Sequence, residues 1–178
     1  MSRNIWFVRH AQSEYNQKKL FTGWHDPQLT EHGVNKALEL KQDLNGINFD
    51  VVYSSPLKRA LQTANILITN QEIIIDERLK ERSYGDWSSK HKDEIKAEIG
   101  ESNYHAARRG WETSPPNGES LRDVSIRVQS FLDELPKSGN ILVISHGNTI
   151  RAISVLIGIN DKTNVDSFEI KVGTILKT

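Results

Sequence analysis

The chain has 178 residues, of which 37% are hydrophobic and 26% charged, so it is long enough and apolar enough to bury the core of one globular domain. Its 23 lysines and arginines balance 23 aspartates and glutamates, and the whole-chain charge therefore gives no reason to expect a nucleic acid or a membrane as a partner. The lack of cysteine excludes disulfides, thiolate nucleophiles and cysteine-ligated metals.

The first part of the chain alternates short apolar runs with helical patterns. Residues 5–8 are apolar, partly β-branched and followed by polar residues, which predicts a buried strand. This run is too short for a signal peptide or a membrane span, so we expect a cytoplasmic protein. Thr30 is predicted to cap a helix. The apolar face expected for that helix consists of Val34, Ala37, Leu38 and Leu44.

Two more strands and a helix are predicted next. Residues 50–53 and 73–75 are short apolar runs of the kind found in strands. Between them, Ser54, Ser55 and Pro56 are typical of an N-cap followed by a first-turn proline. The buried stripe of this helix is expected to consist of Leu57, Ala60, Leu61, Ala64 and Ile68.

A polar segment follows at residues 78–118, which contains Pro115 and Pro116. We expect it to form a cap-like insertion with a helix near residues 92–99. Ser120 is then predicted to begin a further helix. The apolar positions of that helix are Leu121, Val124, Val128, Phe131, Leu132 and Leu135.

The last elements complete an alternating pattern. Residues 140–145 predict a fourth strand that ends at His146, followed by a helix over 149–156 and a final strand over 167–172. Strands that alternate with helices predict an α/β fold, a three-layer sandwich with a mostly parallel central sheet flanked by helices. Because no repeat or linker composition interrupts the pattern, one domain is expected to cover residues 1–178.

Histidines and arginines stand at the predicted ends of three strands. Arg9 and His10 follow the first strand, Arg59 lies one turn into the helix after the second, and His146 follows the fourth. An adjacent arginine and histidine are ordinarily a surface pair. Here, however, ligands of such a fold bind at the carboxyl ends of the strands, where these four side chains are expected to meet.

Two arginines and two histidines without carboxylate ligands are typical of an anion site rather than a metal site. The helix that begins near Pro56 is expected to add its positive N-terminal end. Positive surroundings disfavour protonation of an imidazole, so His10 is interpreted as a neutral nucleophile for a phosphoryl group. Glu81 is the candidate acid for the leaving group, and the alternative is a solvated loop carboxylate.

These residues lie within motifs that resemble a known family. Residues 9–16 (RHAQSEYN) resemble the signature of the histidine phosphatase superfamily. Further segments resemble its branch of cofactor-dependent phosphoglycerate mutases. They are residues 21–24 (FTGW), Asp26, Leu29, Gly33, 54–63 (SSPLKRALQT), 81–85 (ERSYG), 108–110 (RRG), 113–116 (TSPP), 118–121 (GESL) and 146–151 (HGNTIR). The matches keep the family's order over residues 5–173.

The resemblance implies that His10 forms a phosphohistidine and that Glu81 serves as general acid and base. It implies that the transferring phosphoryl oxygens are held by Arg9, Arg59, Asn16 and His146. It further implies that the rest of a phosphoglycerate contacts Thr22, Gly23, Tyr84, Lys92, Arg108, Arg109, Gly147 and Asn148. Without the resemblance, the Arg108–Arg109 pair is equally consistent with a solvated basic pair on a helix. No metal is expected, since the other histidines are interpreted as surface or structural residues.

Two reactions remain open at this point. The first is interconversion of 2- and 3-phosphoglycerate, primed by 2,3-bisphosphoglycerate as cofactor. The second is a phosphatase acting on small phosphorylated metabolites, which is favoured by Ala11 and Gln12 where such mutases usually carry Gly-Glu. It is also favoured by the chain's end at Thr178, where longer mutases continue into a tail that covers the site.

A third interpretation is a non-enzymatic phosphate- or protein-binding module. It is disfavoured because the five chemically competent side chains are all present: Arg9, His10, Arg59, Glu81 and His146. The expected partner is therefore a small phosphorylated metabolite, with neither a nucleic acid nor a membrane, and a homodimer is left open.

Overall fold

A computed structural model describes residues 2–178. Their central sheet has five strands: β1 (Arg3–Arg9), β2 (Val51–Ser54), β3 (Ile74–Ile75), β4 (Gly139–Ser145) and β5 (Thr174–Lys177). The spatial order is β3-β2-β4-β1-β5. The first four strands are parallel, and β5 pairs with β1 in the antiparallel direction. The predicted α/β fold with a mostly parallel sheet is thus confirmed.

Seven α-helices occur within the same residues: α1 (Glu14–Gln17), α2 (Glu31–Asp43), α3 (Lys58–Leu67), α4 (Lys92–Ile99), α5 (Glu101–Arg109), α6 (Leu121–Glu134) and α7 (Gly147–Leu156). Two short 3₁₀ helices cover Glu77–Leu79 and Gly85–Trp87. None of the helices in this part of the chain is long and apolar enough to cross a bilayer.

The sheet is covered on both faces, as a three-layer sandwich requires. Alternate residues of β1 point to opposite sides, with Ile5 and Phe7 in the core beneath α6 and α7, and Trp6 and Val8 in the core beneath α2 and α3. A smaller aromatic cluster lies in the predicted cap-like segment, where α4 and α5 pack on Phe21. The helix near residues 92–99 is confirmed as α4, whereas the polar sequence gave no indication of α5.

The rotation of α2 differs from the prediction. Val34 is 38% and Leu38 48% exposed, so the predicted face is wrong at these positions. Gly33 determines the rotation, because a Cβ there would lie 2.1 Å from the carbonyl oxygen of Gln12. With Gly33 against that loop, the face that turns towards the sheet carries Gly33, Ala37, Leu40 and Leu44.

Helix α3 begins later than predicted. Ser55 Oγ accepts the N–H of Leu57 at 3.3 Å, but the first helical residue is Lys58, whose N–H donates to the carboxylate of Asp26 at 2.6 Å. A side chain that is distant in sequence therefore caps this helix, and Pro56 precedes it. Of the predicted stripe, Leu61 and Ile68 are only half-buried, while Leu67 is buried.

The final strand was predicted too early. Residues 167–172 form no strand, and β5 is Thr174–Lys177. Carbonyl oxygens in residues 166–170 accept hydrogen bonds from arginine side chains instead of from a neighbouring strand. They accept from Arg109 (to Asp166 O, 3.2 Å), Arg151 (to Phe168 O, 2.8 Å) and Arg9 (to Ile170 O). The segment is therefore drawn towards the carboxyl end of the sheet.

Candidate active site

A cavity of about 120 Å³ lies at the carboxyl ends of β1 and β4. Every site residue predicted from the sequence except His146 lines it: Arg9, His10, Asn16, Thr22, Gly23, Arg59, Glu81, Tyr84, Lys92, Arg108, Arg109, Gly147 and Asn148. His146 is fully buried beside His10, with the two ring centroids 5.0 Å apart. The four side chains of the strand-end argument, Arg9, His10, Arg59 and His146, thus lie close together in the structure.

His10 is held at the end of β1 with a defined tautomer. Its backbone N–H donates to Ser145 O at 3.0 Å, and its Nδ1 lies 2.7 Å from Ala11 O. A carbonyl oxygen can only accept, so Nδ1 carries the proton and Nε2 carries the lone pair. Burial lowers the pKa of His10 well below its usual value, and Arg59 and Arg9 lower it further. A neutral imidazole with an available Nε2 results.

Arg59 supplies positive charge beside that lone pair. Its Nε donates to His10 Nε2 at 3.3 Å, and its two terminal nitrogens donate to the carbonyls of His25 and Gly23, each at 2.9 Å. Burial lowers the pKa of Arg59 to about 10, which keeps the guanidinium charged at neutral pH. Gly23 adopts a φ of +52°, a conformation that favours glycine and turns its carbonyl towards Arg59.

Arg9 lies on the other side of the nucleophile. It donates from Nη1 to Ile170 O, while its buried Nε has no hydrogen-bond partner among residues 2–178. The guanidinium rests against Gly147, where an added Cβ would lie 2.9 Å from Arg9 Cζ. A buried guanidinium nitrogen without a partner is a donor available to an anion.

Glu81 is only 7% exposed and lines the cavity. Its Oε1 accepts backbone N–H groups from Arg82 at 2.8 Å and from Asn148, in the first turn of α7, at 3.2 Å. These bonds fix one carboxylate oxygen and leave the other free to exchange a proton. This environment differs from the solvated loop position that was the alternative for Glu81.

A second group of cations lines the cavity from α4 and α5. Lys92 at the start of α4 and Arg108 and Arg109 at the end of α5 converge there, so the arginines are not a solvated pair. Burial, together with Arg108 and Arg9, lowers the pKa of Lys92 to about 8. Six cationic side chains and two carboxylates line this cavity, and the repulsion among the cations favours binding of an anion.

Three contributions to the cavity wall were not predicted. Arg151 donates to Asn148 Oδ1 at 2.6 Å, and Asn148 Nδ2 donates to Tyr84 OH at 2.9 Å. Glu169 lies 3.6 Å from Arg109, and Leu20 also lines the cavity. The three-residue helical spacing of Asn148 and Arg151 was a usable signal for Arg151, whereas no local pattern marks Glu169.

The expected helix-end contribution also differs. The N-terminus of α3 is bound by Asp26, so the helix end that reaches the cavity is that of α7, with Gly147 and Asn148 in its first turn. Asn16 uses its Oδ1 to accept from Ser13 at 3.0 Å and faces the cavity. No cluster of three or more histidine or carboxylate side chains suited to a metal ion occurs among the described residues.

Comparisons with known proteins agree with this geometry. The 2,3-bisphosphoglycerate-dependent phosphoglycerate mutase of Azorhizobium caulinodans is 42% identical over 169 residues, which cover 88% of this chain and 82% of that protein. The structure of a putative alpha-ribazole-5'-P phosphatase from Escherichia coli is similar with a TM-score of 0.84 at 31% identity, covering 99% of this chain and 90% of that one. A mycobacterial glucosyl-3-phosphoglycerate phosphatase gives 0.89 at 25% identity, with coverages of 99% and 90%.

The model of the histidine phosphatase superfamily (branch 1) matches residues 5–177, nearly the whole chain. The Azorhizobium relative is named as a mutase and the two similar structures as phosphatases, and those two structures share this fold. The chain belongs to the histidine phosphatase superfamily.

Proposed function

We propose that the protein transfers phosphoryl groups through a phosphohistidine at His10 and that it interconverts 2- and 3-phosphoglycerate, primed by 2,3-bisphosphoglycerate. The observation that carries this proposal is the division of one cavity into two cationic groups. Arg9 and Arg59 line it together with His10, and the group formed by Lys92, Arg108 and Arg109 comes from α4 and α5. A phosphoglycerate carries a phosphate and a carboxylate, so its two anionic ends match two cationic groups.

In the first half-reaction, the phosphoryl group moves from the ester oxygen to His10. The lone pair on His10 Nε2 attacks phosphorus in line with the ester oxygen, forming the N–P bond while the P–O bond breaks. Arg9 and Arg59 neutralise the equatorial oxygens, an effect for which one arginine can supply about 10³-fold or more. The free carboxyl oxygen of Glu81, in its protonated form, gives its proton to the leaving alkoxide.

The second half-reaction reverses these steps with another acceptor hydroxyl. Glu81, now a carboxylate, removes the hydroxyl proton, the oxygen attacks phosphorus, and the N–P bond breaks to restore neutral His10. A bisphosphoglycerate held between the two cationic groups offers one phosphate to His10 and the other to the group around Lys92. The primer is therefore expected to bind to the same residues as the substrate.

Exclusion of water decides between mutase and phosphatase, because water competes with the bound sugar-acid for the phosphohistidine. The C-terminal segment supports the mutase: its carbonyls are bound by Arg9, Arg109 and Arg151, and Glu169 forms part of the cavity wall. The names of the sequence relatives support the same choice. The proposed setting is glycolysis and gluconeogenesis in the cytoplasm, with a small phosphorylated metabolite as partner.

A phosphatase is the second candidate, and specific observations favour it. The two similar structures described above are named as phosphatases. Ala11 and Gln12 follow the nucleophile where mutases of this family usually carry Gly-Glu. In that case water replaces the sugar-acid hydroxyl in the second half-reaction, and Glu81 takes its proton.

One experiment separates the two. Purified enzyme is given 3-phosphoglycerate with and without 2,3-bisphosphoglycerate, in a chelator, while 2-phosphoglycerate and free phosphate are measured together. The mutase predicts isomerisation that depends on the primer and little phosphate release. Lys92→Met should raise KM, whereas the same change at the exposed Lys90 should not. Fast phosphate release without isomerisation would exclude the mutase in favour of the phosphatase.

A further inference from the structure

The hydroxyl of Ser55 makes a buried contact with His146. Ser55 lies between β2 and α3 and is fully buried. Its Oγ is 2.7 Å from His146 Nε2, the shorter of its two hydrogen bonds among the described residues. Its backbone is fixed at both ends, since its N–H donates to Ile144 O and its carbonyl accepts from Ser54 Oγ, each at 3.0 Å.

The direction of the Ser55–His146 hydrogen bond follows from the other partners. Ser55 Oγ already accepts the N–H of Leu57 at 3.3 Å, so its own hydrogen needs an acceptor. His146 Nε2 is the one acceptor recorded for it within residues 2–178. A neutral imidazole has one donor and one acceptor nitrogen. If Nε2 accepts from the hydroxyl, Nδ1 must carry the ring hydrogen.

The opposite arrangement leaves more groups unsatisfied. If Nε2 donated to Ser55, the buried hydroxyl hydrogen would have no acceptor, and Nδ1 would present a lone pair that no described residue contacts. In the favoured arrangement Nδ1–H alone lacks a partner. Buried polar groups without partners are costly, so the arrangement with fewer of them is preferred.

The ring that carries this donor lies next to the nucleophile. The His146 ring is 5.0 Å from that of His10, and Arg59 is the charged group that acts on it most strongly. Burial holds the pKa of His146 well below its ordinary value, so the ring is neutral and its tautomer matters. An Nδ1–H attracts an anionic oxygen, whereas an Nδ1 lone pair repels it.

We propose that Ser55 is a positioning residue that fixes the tautomer of His146, donating its hydroxyl hydrogen to Nε2 so that Nδ1–H is presented to the transferring phosphoryl group. The role of Nδ1–H rests on the phosphoryl-transfer function proposed for His10. The tautomer itself is a property of the protein that can be measured without substrate.

Two variants and one control test this assignment. Ser55→Ala removes the donor, and Ser55→Thr retains it. Ser125→Ala serves as the control, since Ser125 is also buried, bonds to a backbone carbonyl (Arg122 O, 2.7 Å) and lies on α6 away from the cavity. The ¹⁵N signals of the imidazole nitrogens report which nitrogen carries the proton, and His146→Gln identifies the signals. Calorimetry measures the affinity for inorganic phosphate.

The expected wild-type result is a protonated Nδ1 and an unprotonated Nε2 at His146. Ser55→Ala should shift the ring towards the other tautomer and weaken phosphate binding about 10- to 100-fold, the effect that losing an orienting partner has at metal-binding histidines. Ser55→Thr should keep the wild-type tautomer of His146 and the wild-type affinity for phosphate. The Ser125→Ala control should bind phosphate within about twofold of wild type.

A wild-type His146 protonated at Nε2 would overturn the proposal. So would a Ser55→Ala enzyme with the wild-type tautomer and phosphate affinity. If Ser55→Ala does not fold, the wild-type tautomer and the threonine variant still decide. Failure of the proposed function is distinguishable, because it would appear as a missing phosphoenzyme at His10 while the tautomer of His146 remained as assigned.

Discussion

Arg82, near the start of the cap-like segment, binds the end of that segment. Its side chain is fully buried and donates to four backbone carbonyls: Ala107 and Arg108 (2.8 Å each), Thr113 (2.7 Å) and Glu119. Two of these oxygens belong to the last turn of α5, where helix carbonyls lack partners within the helix. Arg82 therefore holds the turn that carries two of the cavity's cations.

Replacement of Arg82 by lysine gives a prediction of definite size. An ammonium group cannot reproduce the planar fork that reaches four carbonyls at once. If one or two of these bonds are lost, at about 1.5–3 kcal/mol for each hydrogen bond to a charged donor, unfolding should become easier by about 1.5–6 kcal/mol. This is a large share of the roughly 5–15 kcal/mol that stabilises a typical domain.

Urea denaturation followed by tryptophan fluorescence measures that loss, and hydrogen exchange locates it. Exchange should accelerate most in α5 and the loop up to Glu119, and KM for phosphoglycerate should rise because Arg108 and Arg109 lose their support. The matched control is Arg122→Lys, since Arg122 is exposed and makes a 3.4 Å surface ion pair with Glu112. A loss below about 1 kcal/mol for Arg82→Lys, with unchanged exchange in α5, would refute the reasoning.

Three further predictions concern the chemistry. Glu81→Gln should lower kcat about 10²- to 10⁴-fold with a phosphoglycerate and lower it less with an ester whose leaving group needs no proton; equal losses with both esters would contradict the acid role. Gly147→Ala should reduce kcat/KM about 10- to 100-fold by displacing the Arg9 guanidinium, at unchanged thermal stability; full activity would show that Arg9 can move freely. Lys92 is proposed to bind substrate in its cationic form and its pKa lies at about 8, so kcat/KM should fall as the pH rises above 8; Lys92→Arg should remove that decrease, and a flat wild-type profile would count against it.

The sequence predicted the strand ends well because the relevant signals are local. Residues 5–8 and 141–144 are continuous apolar runs, and a histidine stands two residues after each, so the sheet topology alone brings His10 and His146 together. The Ser120 cap was also readable, since Ser120 and Asp123 form a capping box within four residues. The sequence pattern is enough to predict an element when the residues that determine it lie within one helical turn or one strand.

The errors arise where distant residues act on a local element. Asp26 moves the start of α3, and Gln12 fixes the rotation of α2 through Gly33. Arginines at the cavity bind the carbonyls of residues 166–170 and thereby prevent a strand there. These contacts join residues that have no regular separation along the chain, so a single sequence does not reveal them.

The central claim is that His10 Nε2 becomes phosphorylated, and trapping the phosphoenzyme tests it most directly. Enzyme mixed with 2,3-bisphosphoglycerate is quenched in base, and the phosphorylated residue is located by mass spectrometry, with His10→Ala and the exposed His32→Ala compared. We predict one acid-labile, base-stable phosphoryl group on His10, retained in the His32 variant and lost together with turnover in the His10 variant. Phosphorylation at another residue, or normal turnover by His10→Ala, would contradict the account.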